Sequence, residues 1–301
     1  MTAGRVLGID LGATNTKLVV LTPDDTIEVL EPFPTGGEAG ADAVLERLIS
    51  RAREIIVEHE VTAVGVGTPG LFEPETGVVV IFTNLPGQWV GVPLLDILRD
   101  GLELPVTLIN DARAFTLAEG TLGAGRGARV MAGLTLGTGI GGGLLIDGEL
   151  FHGATGSAGE ISHQTVDPDG DMCGCGNRGC AEAAARADTL TKSAGRETVA
   201  DVYVGYAEGD PACVAAVDKA AASLGRALAN VVTVFGPEAI VIGGGPAMHG
   251  GEAVVDPIRR ATYSNITLVP HEKVRVVTAA LGSEAGAIGA ALAARSAQLG
   301  D

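Results

Sequence analysis

Aromatic side chains are scarce, at 3% of the 301 residues, so few could stack on nucleic-acid bases. Basic residues number 20 against 37 acidic ones, and a net charge of −17 argues against binding to a phosphate backbone. No apolar run reaches the roughly 18 residues that span a bilayer. The N-terminus also lacks the basic and then apolar pattern of a signal peptide. We therefore expect a cytoplasmic protein that binds neither nucleic acid nor membranes.

Cysteine is also rare, yet three of the four cysteines fall within eight residues. Cys173, Cys175 and Cys180 follow His163 in the pattern H-x9-C-x-C-x4-C. Crowded thiols in a reducing compartment indicate metal ligation rather than disulfides. Four nitrogen and sulfur ligands suit a tetrahedral Zn²⁺, and a closed set of four predicts a structural ion. Cys213 stands apart and is interpreted as a small core residue.

Glycine is abundant, with 45 residues, and 46% of the chain is hydrophobic. The apolar pattern predicts strands at 5–10, 17–22, 26–30, 61–66, 106–110, 129–136, 144–146 and 239–242. It predicts helices at 41–58, 112–122, 211–235, 253–263 and 283–298, the last opened by Ser283. Strands that alternate with helices in this way are typical of an α/β protein.

A weak internal repeat suggests duplication. Residues 8–14 and residues 133–139 each read as the end of a strand and a glycine-rich turn, and each is followed by an apolar strand. Two such hairpins predict two domains of similar topology, whereas chance recurrence in a glycine-rich chain is the alternative. The glycine-rich stretch 120–127 precedes the second hairpin and predicts the domain boundary.

The second glycine-rich turn, residues 137–142, matches the pattern G-x-G-x-x-G. A dinucleotide-binding turn must lead into a helix, but a strand follows here, so that interpretation fails. Exposed N–H groups in a hairpin turn still suit a phosphate, while a tight turn with positive φ is the structural alternative. The first turn carries Asp10, Thr14 and Lys17, and the two turns together favour phosphate binding.

Three carboxylates are candidates for chemistry on a substrate. Asp111 follows Asn110 at the predicted end of a strand, where it would act as a base or simply cap the next helix. Glu160 and Glu182 flank the cysteine cluster. They would bind several hydroxyl groups or be ordinary solvated carboxylates.

These segments together resemble the ROK family of sugar kinases, within the actin and hexokinase superfamily, over essentially the whole chain. The segments that carry the resemblance are 8–14, 67–70, Asn84-Leu85, 110–112, 136–143, 156–163 and 173–182. The last two form the most specific block. The resemblance implies an α/β fold of two actin-like (RNase H-like) domains with a cleft between them and a structural zinc knot. A small domain, 1–119, would be joined by the C-terminal helix 283–301, and 120–282 would form a large domain with the zinc motif at 163–180.

The resemblance also implies residue roles. Asp111 would be the general base, and the sugar would be bound by Asn84, Asn110, Asp111, Glu160, His163 and Glu182. ATP would be bound by Asp10, Gly12, Thr14, Lys17, Gly137, Thr138, Gly139, Gly244 and Gly245, with Asp10 facing Mg²⁺. Zinc would be held by His163, Cys173, Cys175 and Cys180.

The implied activity is phosphorylation of a hexose by ATP, with glucose converted to glucose 6-phosphate, in a homodimer or homotetramer. The alternatives are another acceptor (N-acetylglucosamine, N-acetylmannosamine, mannose or fructose), polyphosphate as donor, or a sugar-binding protein without activity. A sugar-responsive repressor is disfavoured, because only nine residues precede Asp10. Ala13, Arg113, Ser162 and the pair Arg186-Ala187 depart from the family pattern. Arg113 and Ser162 leave the identity of the sugar open.

Overall fold

The computed structural model describes residues 4–82 and 85–300, and these residues form two compact units. Unit 1 comprises the described residues up to Ala118 and from Glu284 onward. Unit 2 is Glu119–Ser283. Within the described ranges, no helix combines the length and the apolar character that crossing a membrane requires.

Strands and helices alternate along most of the chain. The strands are β1 (Arg5–Leu11), β2 (Asn15–Leu21), β3 (Ile27–Pro34), β4 (Val61–Thr68), β5 (Leu71–Phe72), β6 (Val79–Ile81), β7 (Val106–Asn110), β8 (Val130–Leu136), β9 (Ile140–Ile146), β10 (Glu149–Leu150), β11 (Ala239–Gly243) and β12 (Arg275–Thr278). The helices are α1 (Ala41–His59), α2 (Leu94–Leu102), α3 (Asp111–Thr121), α4 (Ala181–Ala185), α5 (Ala187–Ala194), α6 (Val199–Glu208), α7 (Pro211–Phe235), α8 (Gly245–Gly250), α9 (Glu252–Asn265) and α10 (Ala285–Leu299).

The sheets of the two units have the same topology. Unit 1 orders its strands β3-β2-β1-β4-β7, and unit 2 orders them β10-β9-β8-β11-β12. In each sheet the first three strands are antiparallel and the last three are parallel. The α/β class and the pair of similar domains are therefore confirmed.

Helix α10 packs on the sheet of unit 1 at positions where that sheet has no side chains. A Cβ atom on Gly8 of β1 would overlap the carbonyl oxygen of Ala287, and one on Gly65 of β4 would overlap that of Ala290. Glycine at both positions lets the helix backbone approach the strands directly. The C-terminal helix therefore belongs to the core that it shares with β1 and β4.

Several predicted boundaries differ from the structure, and two of them have a clear physical reason. Strand β9 begins at Ile140 rather than at Leu144, because the glycines pair with β8 instead of forming a turn. A Cβ atom at Gly142 would lie 2.6 Å from the carbonyl oxygen of Gly159, so glycine is needed there for packing. Helix α10 begins at Ala285 with Glu284 as its N-cap, and Ser283 lies in a preceding 3₁₀ turn.

The glycine contact under α10 predicts a position-specific cost. Gly65→Ala should destabilise the protein by about 1–3 kcal/mol, because the new methyl group must push the helix backbone away. Gly67→Ala in the same strand is the matched control, since its Cβ atom would meet its nearest neighbour at 3.5 Å, an ordinary contact. Denaturant unfolding of the two variants checks this. Equal stability of the two variants would contradict the packing argument.

Candidate active site

The sheet of unit 1 collects several candidate residues at one edge. Strands β1, β4 and β7 are parallel, so their carboxyl ends lie together. Gly12 follows β1, while Asn110 ends β7 and Asp111 begins α3. Ligands of open α/β sheets bind beyond this edge. The fold thus brings the first glycine turn and the candidate base to the same side of unit 1.

Buried threonines outside the first glycine turn hold it in place. Thr35 Oγ1 donates to the carbonyl oxygen of Gly12 (2.7 Å), and the Thr35 N–H donates to that of Thr14 (2.9 Å). The Thr35 hydroxyl is also 2.9 Å from that of Thr16. Thr16 and Thr35 are almost fully buried. Neither residue is predicted from the sequence, because only strand pairing brings the end of β3 to the turn.

Asp10 lies opposite Lys17 in the register of β1 and β2. Desolvation raises the pKa of Asp10 to about 6; the nearby Lys17 opposes this shift and Glu284 adds to it. The carboxylate also packs closely against Gly286, where a Cβ atom would lie 2.7 Å from its Oδ2. A divalent cation beside this carboxylate would offset its desolvation, and oxygen donors suit Mg²⁺.

Asn110 organises the start of α3. Its Oδ1 accepts from the N–H groups of Ala112 (3.1 Å) and Arg113 (3.2 Å), which satisfies the first turn of the helix. Its Nδ2 donates to the carbonyl oxygen of Gly70 (3.0 Å). Through these contacts the side chain of Asn110 ties the 67–70 segment to β7 and to the start of α3.

Asp111 is exposed as the first residue of α3. Its Oδ1 accepts from the N–H of Ala112 at 2.8 Å. Asn110 accepts from two N–H groups of the first turn and Asp111 from one, so the capping of α3 does not depend on Asp111 alone. An accessible carboxylate at the carboxyl edge of the sheet can accept a proton from a bound hydroxyl group.

Unit 2 also gathers glycine-rich segments at the carboxyl edge of its sheet. Gly137–Gly139 joins β8 to β9, and Gly244 follows β11, which is parallel to β8. Gly244 has a φ of 86°, and a Cβ atom there would overlap the backbone of Leu136. The two glycine segments therefore lie next to each other at the carboxyl edge of this sheet, with Thr138 exposed in the turn.

Three groups from later in the chain hold the Gly137–Gly139 turn. Glu182 Oε2 accepts from the N–H of Ile140 (2.9 Å), and the Ser162 hydroxyl donates to the carbonyl oxygen of the same residue. The N–H of Ala187 donates to the carbonyl oxygen of Gly137 (3.2 Å). Glu182, predicted to bind sugar, is thus also a structural partner of the turn.

His163, Cys173, Cys175 and Cys180 converge, with their ligand atoms within 4.8 Å of one another. A tetrahedral Zn²⁺ would place two sulfurs about 3.8 Å apart, and a nitrogen and a sulfur about 3.6 Å apart. Cys175 and Cys180 have their Sγ atoms 3.7 Å apart, and Cys173 Sγ lies 3.6 Å from His163 Nδ1. The four residues therefore fit a zinc ion.

The backbone of this metal-ligand segment is tightly wrapped. The N–H of Cys173 donates to the carbonyl oxygen of Asn177 (2.8 Å), and the N–H of Gly176 donates to that of Cys173 (3.0 Å). Gly179 has a φ of 72°, and a Cβ atom there would overlap the backbone of Asp167. Glycine at this position lets the chain fold back so that the ligands meet.

The structure also places the remaining predicted residues that it describes. Glu160 precedes a 3₁₀ turn that contains His163, so both lie in one short segment. Thr14 is exposed and Gly245 begins α8. Asn84 falls outside the described residues.

Comparison with known proteins agrees with these features. The profile of the ROK family matches residues 6–297. The chain belongs to the ROK family. It is 35% identical to a glucokinase of Thermotoga maritima over 306 residues, which covers 95% of this chain and 96% of that protein.

Solved structures of ROK proteins superpose on the chain. A ROK hexokinase from Thermus thermophilus has a TM-score of 0.88 at 34% identity and covers 99% of this chain and 100% of its own. A ROK glucokinase from Streptomyces griseus, solved with glucose and AMPPNP, has a TM-score of 0.82 at 30% identity, with coverage of 97% and 99%.

Two of the residues that depart from the ROK pattern are buried. Ser162, where the family usually has glycine, is fully buried and holds Ile140 as described above. Arg113, which follows Asn110-Asp111-Ala112, is only 6% exposed. Ser162 therefore supports the glycine turn, and Arg113 is part of the packing around the start of α3.

The converging ligands predict about one zinc ion per chain. Cys175→Ser should lose the ion, because a hydroxyl group is a poor replacement for a thiolate ligand. It should also lower the Tm, since metal binding contributes to folding. Cys213→Ser, at the cysteine outside the cluster, controls for the loss of a thiol and should keep the ion. Elemental analysis measures both. A metal-free wild-type protein with an unchanged Tm in chelator would contradict the assignment.

Proposed function

We propose that this ROK sugar kinase transfers the γ-phosphate of ATP to the 6-hydroxyl of glucose, with Asp111 as the general base. The observation that carries the proposal is the exposed Asp111 carboxylate at the start of α3, at the same edge of the sheet as the first glycine turn, where Asn110 also caps the helix. The similarity to glucokinases, one of them solved with glucose and AMPPNP, supports the choice of substrates.

Asp111 would accept the proton of the 6-hydroxyl as its oxygen attacks the γ-phosphorus. The bond from phosphorus to the β,γ-bridging oxygen breaks, and ADP leaves with that electron pair. The products are glucose 6-phosphate, ADP and one proton, which returns from Asp111 to solvent. Asn84, Asn110, Glu160, His163 and Glu182 are the residues that we assign to the sugar.

Phosphoryl transfer depends mainly on positioning and on neutralising charge. The glycine turns offer backbone N–H groups, and Thr14, Lys17 and Thr138 add side-chain donors. Gly12, Gly137 and Gly139 allow a phosphate to approach the backbone, and Gly244-Gly245 would lie near the adenosine. Asp10 would hold Mg²⁺, which neutralises phosphate charge when bound. On a chain with a net charge of −17, this neutralisation is needed to hold a nucleotide.

The zinc ion would be structural in this scheme. His163 is both a zinc ligand and a proposed sugar ligand, so the ion would fix the orientation of its imidazole. Glu160 lies three residues away in the same segment. Loss of the ion would therefore weaken sugar binding as well as stability.

A substrate panel tests the sugar and the donor. We expect kcat/KM to be highest for glucose among glucose, mannose, fructose, N-acetylglucosamine and N-acetylmannosamine, and higher with ATP than with polyphosphate. A site that hydrogen-bonds substrate hydroxyls discriminates against analogues that leave its polar groups unpaired. A tenfold preference for another hexose, about 1.4 kcal/mol in the transition state, would refute the glucose assignment and leave the kinase assignment intact.

Replacing the proposed base tests the mechanism. Asp111→Asn should lower kcat about a hundredfold or more, since general-base catalysis contributes about 10²–10⁴. The fold and the Kd for glucose should be retained, because Asn110 caps the helix. Asp42→Asn, at an exposed aspartate in the first turn of α1, is the control. Wild-type kcat in Asp111→Asn would refute the assignment of the base.

A further inference from the structure

Glu119 is a buried carboxylate that the proposed chemistry does not use. It lies near the end of α3 and is 0% exposed. Burying such a group is costly unless hydrogen bonds replace its water. The partners of Glu119 therefore indicate what the residue does.

Three backbone N–H groups donate to this carboxylate. The N–H of Ala124 donates to Oε2 (2.8 Å), and that of Leu281 donates to Oε1 (2.8 Å). The N–H of Ala280 donates to both oxygens (3.0 and 3.1 Å). One side chain thus joins the end of α3, the turn that follows it, and the segment after β12, which is more than 150 residues further along the chain.

The glycine-rich stretch 120–127 is shaped around Glu119. The carbonyl oxygen of Glu119 accepts from the N–H groups of Gly123 (3.2 Å) and Gly125 (2.9 Å). A Cβ atom at Gly123 would overlap Oε2 of Glu119. These glycines therefore fit the backbone closely around the carboxylate, and the stretch is an ordered turn rather than a loose linker.

Glu119 lies where the chain passes between units. The chain enters unit 2 at Glu119 and leaves it after Ser283, two residues beyond Leu281. Helix α3 begins at Asp111, eight residues before Glu119, or about 12 Å along the helix axis. Beyond Leu281 the chain reaches Gly286, which packs against the carboxylate of Asp10. Both segments that Glu119 joins thus continue to residues of the proposed reaction.

We propose that Glu119 is a positioning residue, which sets Asp111 relative to Asp10 by holding the two connecting segments together. The inference rests on the proposed function of those two aspartates. The hydrogen bonds of Glu119 fix the C-terminal end of α3 and the segment that leads to α10. Loosening them would let α3, and with it Asp111, move relative to Asp10, which strand pairing holds within β1. Rates of positioned reactions fall steeply with such displacements, about a hundredfold for 1 Å.

Glu119→Gln is the most direct test, because it preserves the size of the side chain. Both carboxylate oxygens accept from N–H groups, so an amide nitrogen at either position would place a donor against a donor. We expect kcat with glucose and ATP to fall about tenfold or more at a temperature well below the Tm. The KM for glucose should change less than kcat, by less than about threefold, because three of the residues assigned to the sugar, Glu160, His163 and Glu182, lie on segments that do not bond to Glu119.

Val217→Ala is the matched control for loss of stability. Val217 is buried in α7 in a separate apolar cluster with Leu190 and Val202. This variant should lower the Tm and leave kcat unchanged at the assay temperature. An active Glu119→Gln enzyme with a lowered Tm and a wild-type kcat would show a merely structural role, and would overturn the inference while the proposed function stands.

Gly123→Ala keeps the test decisive if Glu119→Gln fails to fold. Its methyl group would displace Oε2 while the carboxylate remains, so we expect the same selective fall in kcat, to a smaller extent. An unchanged kcat in Gly123→Ala would then overturn the inference. A wild-type protein that phosphorylates no hexose would instead refute the proposed function, and this inference with it.

Discussion

A glycine-rich turn cannot hold its own shape, and this constraint governs the candidate site. Glycine leaves the backbone free to approach a phosphate, but it offers no side chain to pack and has the largest conformational entropy to lose. The shape must come from elsewhere in the fold. In unit 1 it comes from Thr35, which bonds to the backbone of Gly12 and Thr14. In unit 2 it comes from Glu182 and Ser162, which hold Ile140.

The two units therefore share a sheet topology but support their turns differently. The partner in unit 1, Thr35, directly follows the neighbouring strand β3, whereas those in unit 2 come from the segment around the cysteine cluster. Cys173 Sγ lies 3.5 Å from Oε1 of Glu182, whose other oxygen binds the N–H of Ile140. A short path thus connects the candidate metal ligands with the second glycine turn. One carboxylate thus contacts both the segment of the cysteine cluster and the turn.

Asn110 and Glu119 act in a similar way at the two ends of α3. Asn110 caps the helix and ties it to Gly70, while Glu119 ties the other end to the segment after β12. Neither side chain is required by the helix alone. Their hydrogen bonds place the helix, and with it Asp111, relative to neighbouring segments.

The sequence by itself determined the α/β class, the repeated glycine hairpins, the histidine and cysteines that form the candidate metal site, and the family. These depend on local spacing and apolar periodicity, which the chain carries without reference to its fold. Only the tertiary structure decided that glycines 141–143 lie within β9, that Thr35 supports the first turn, and that Glu119 binds Ala280. Each of these depends on a partner distant in sequence, and strand register and long-range hydrogen bonds leave no periodic signal in the chain.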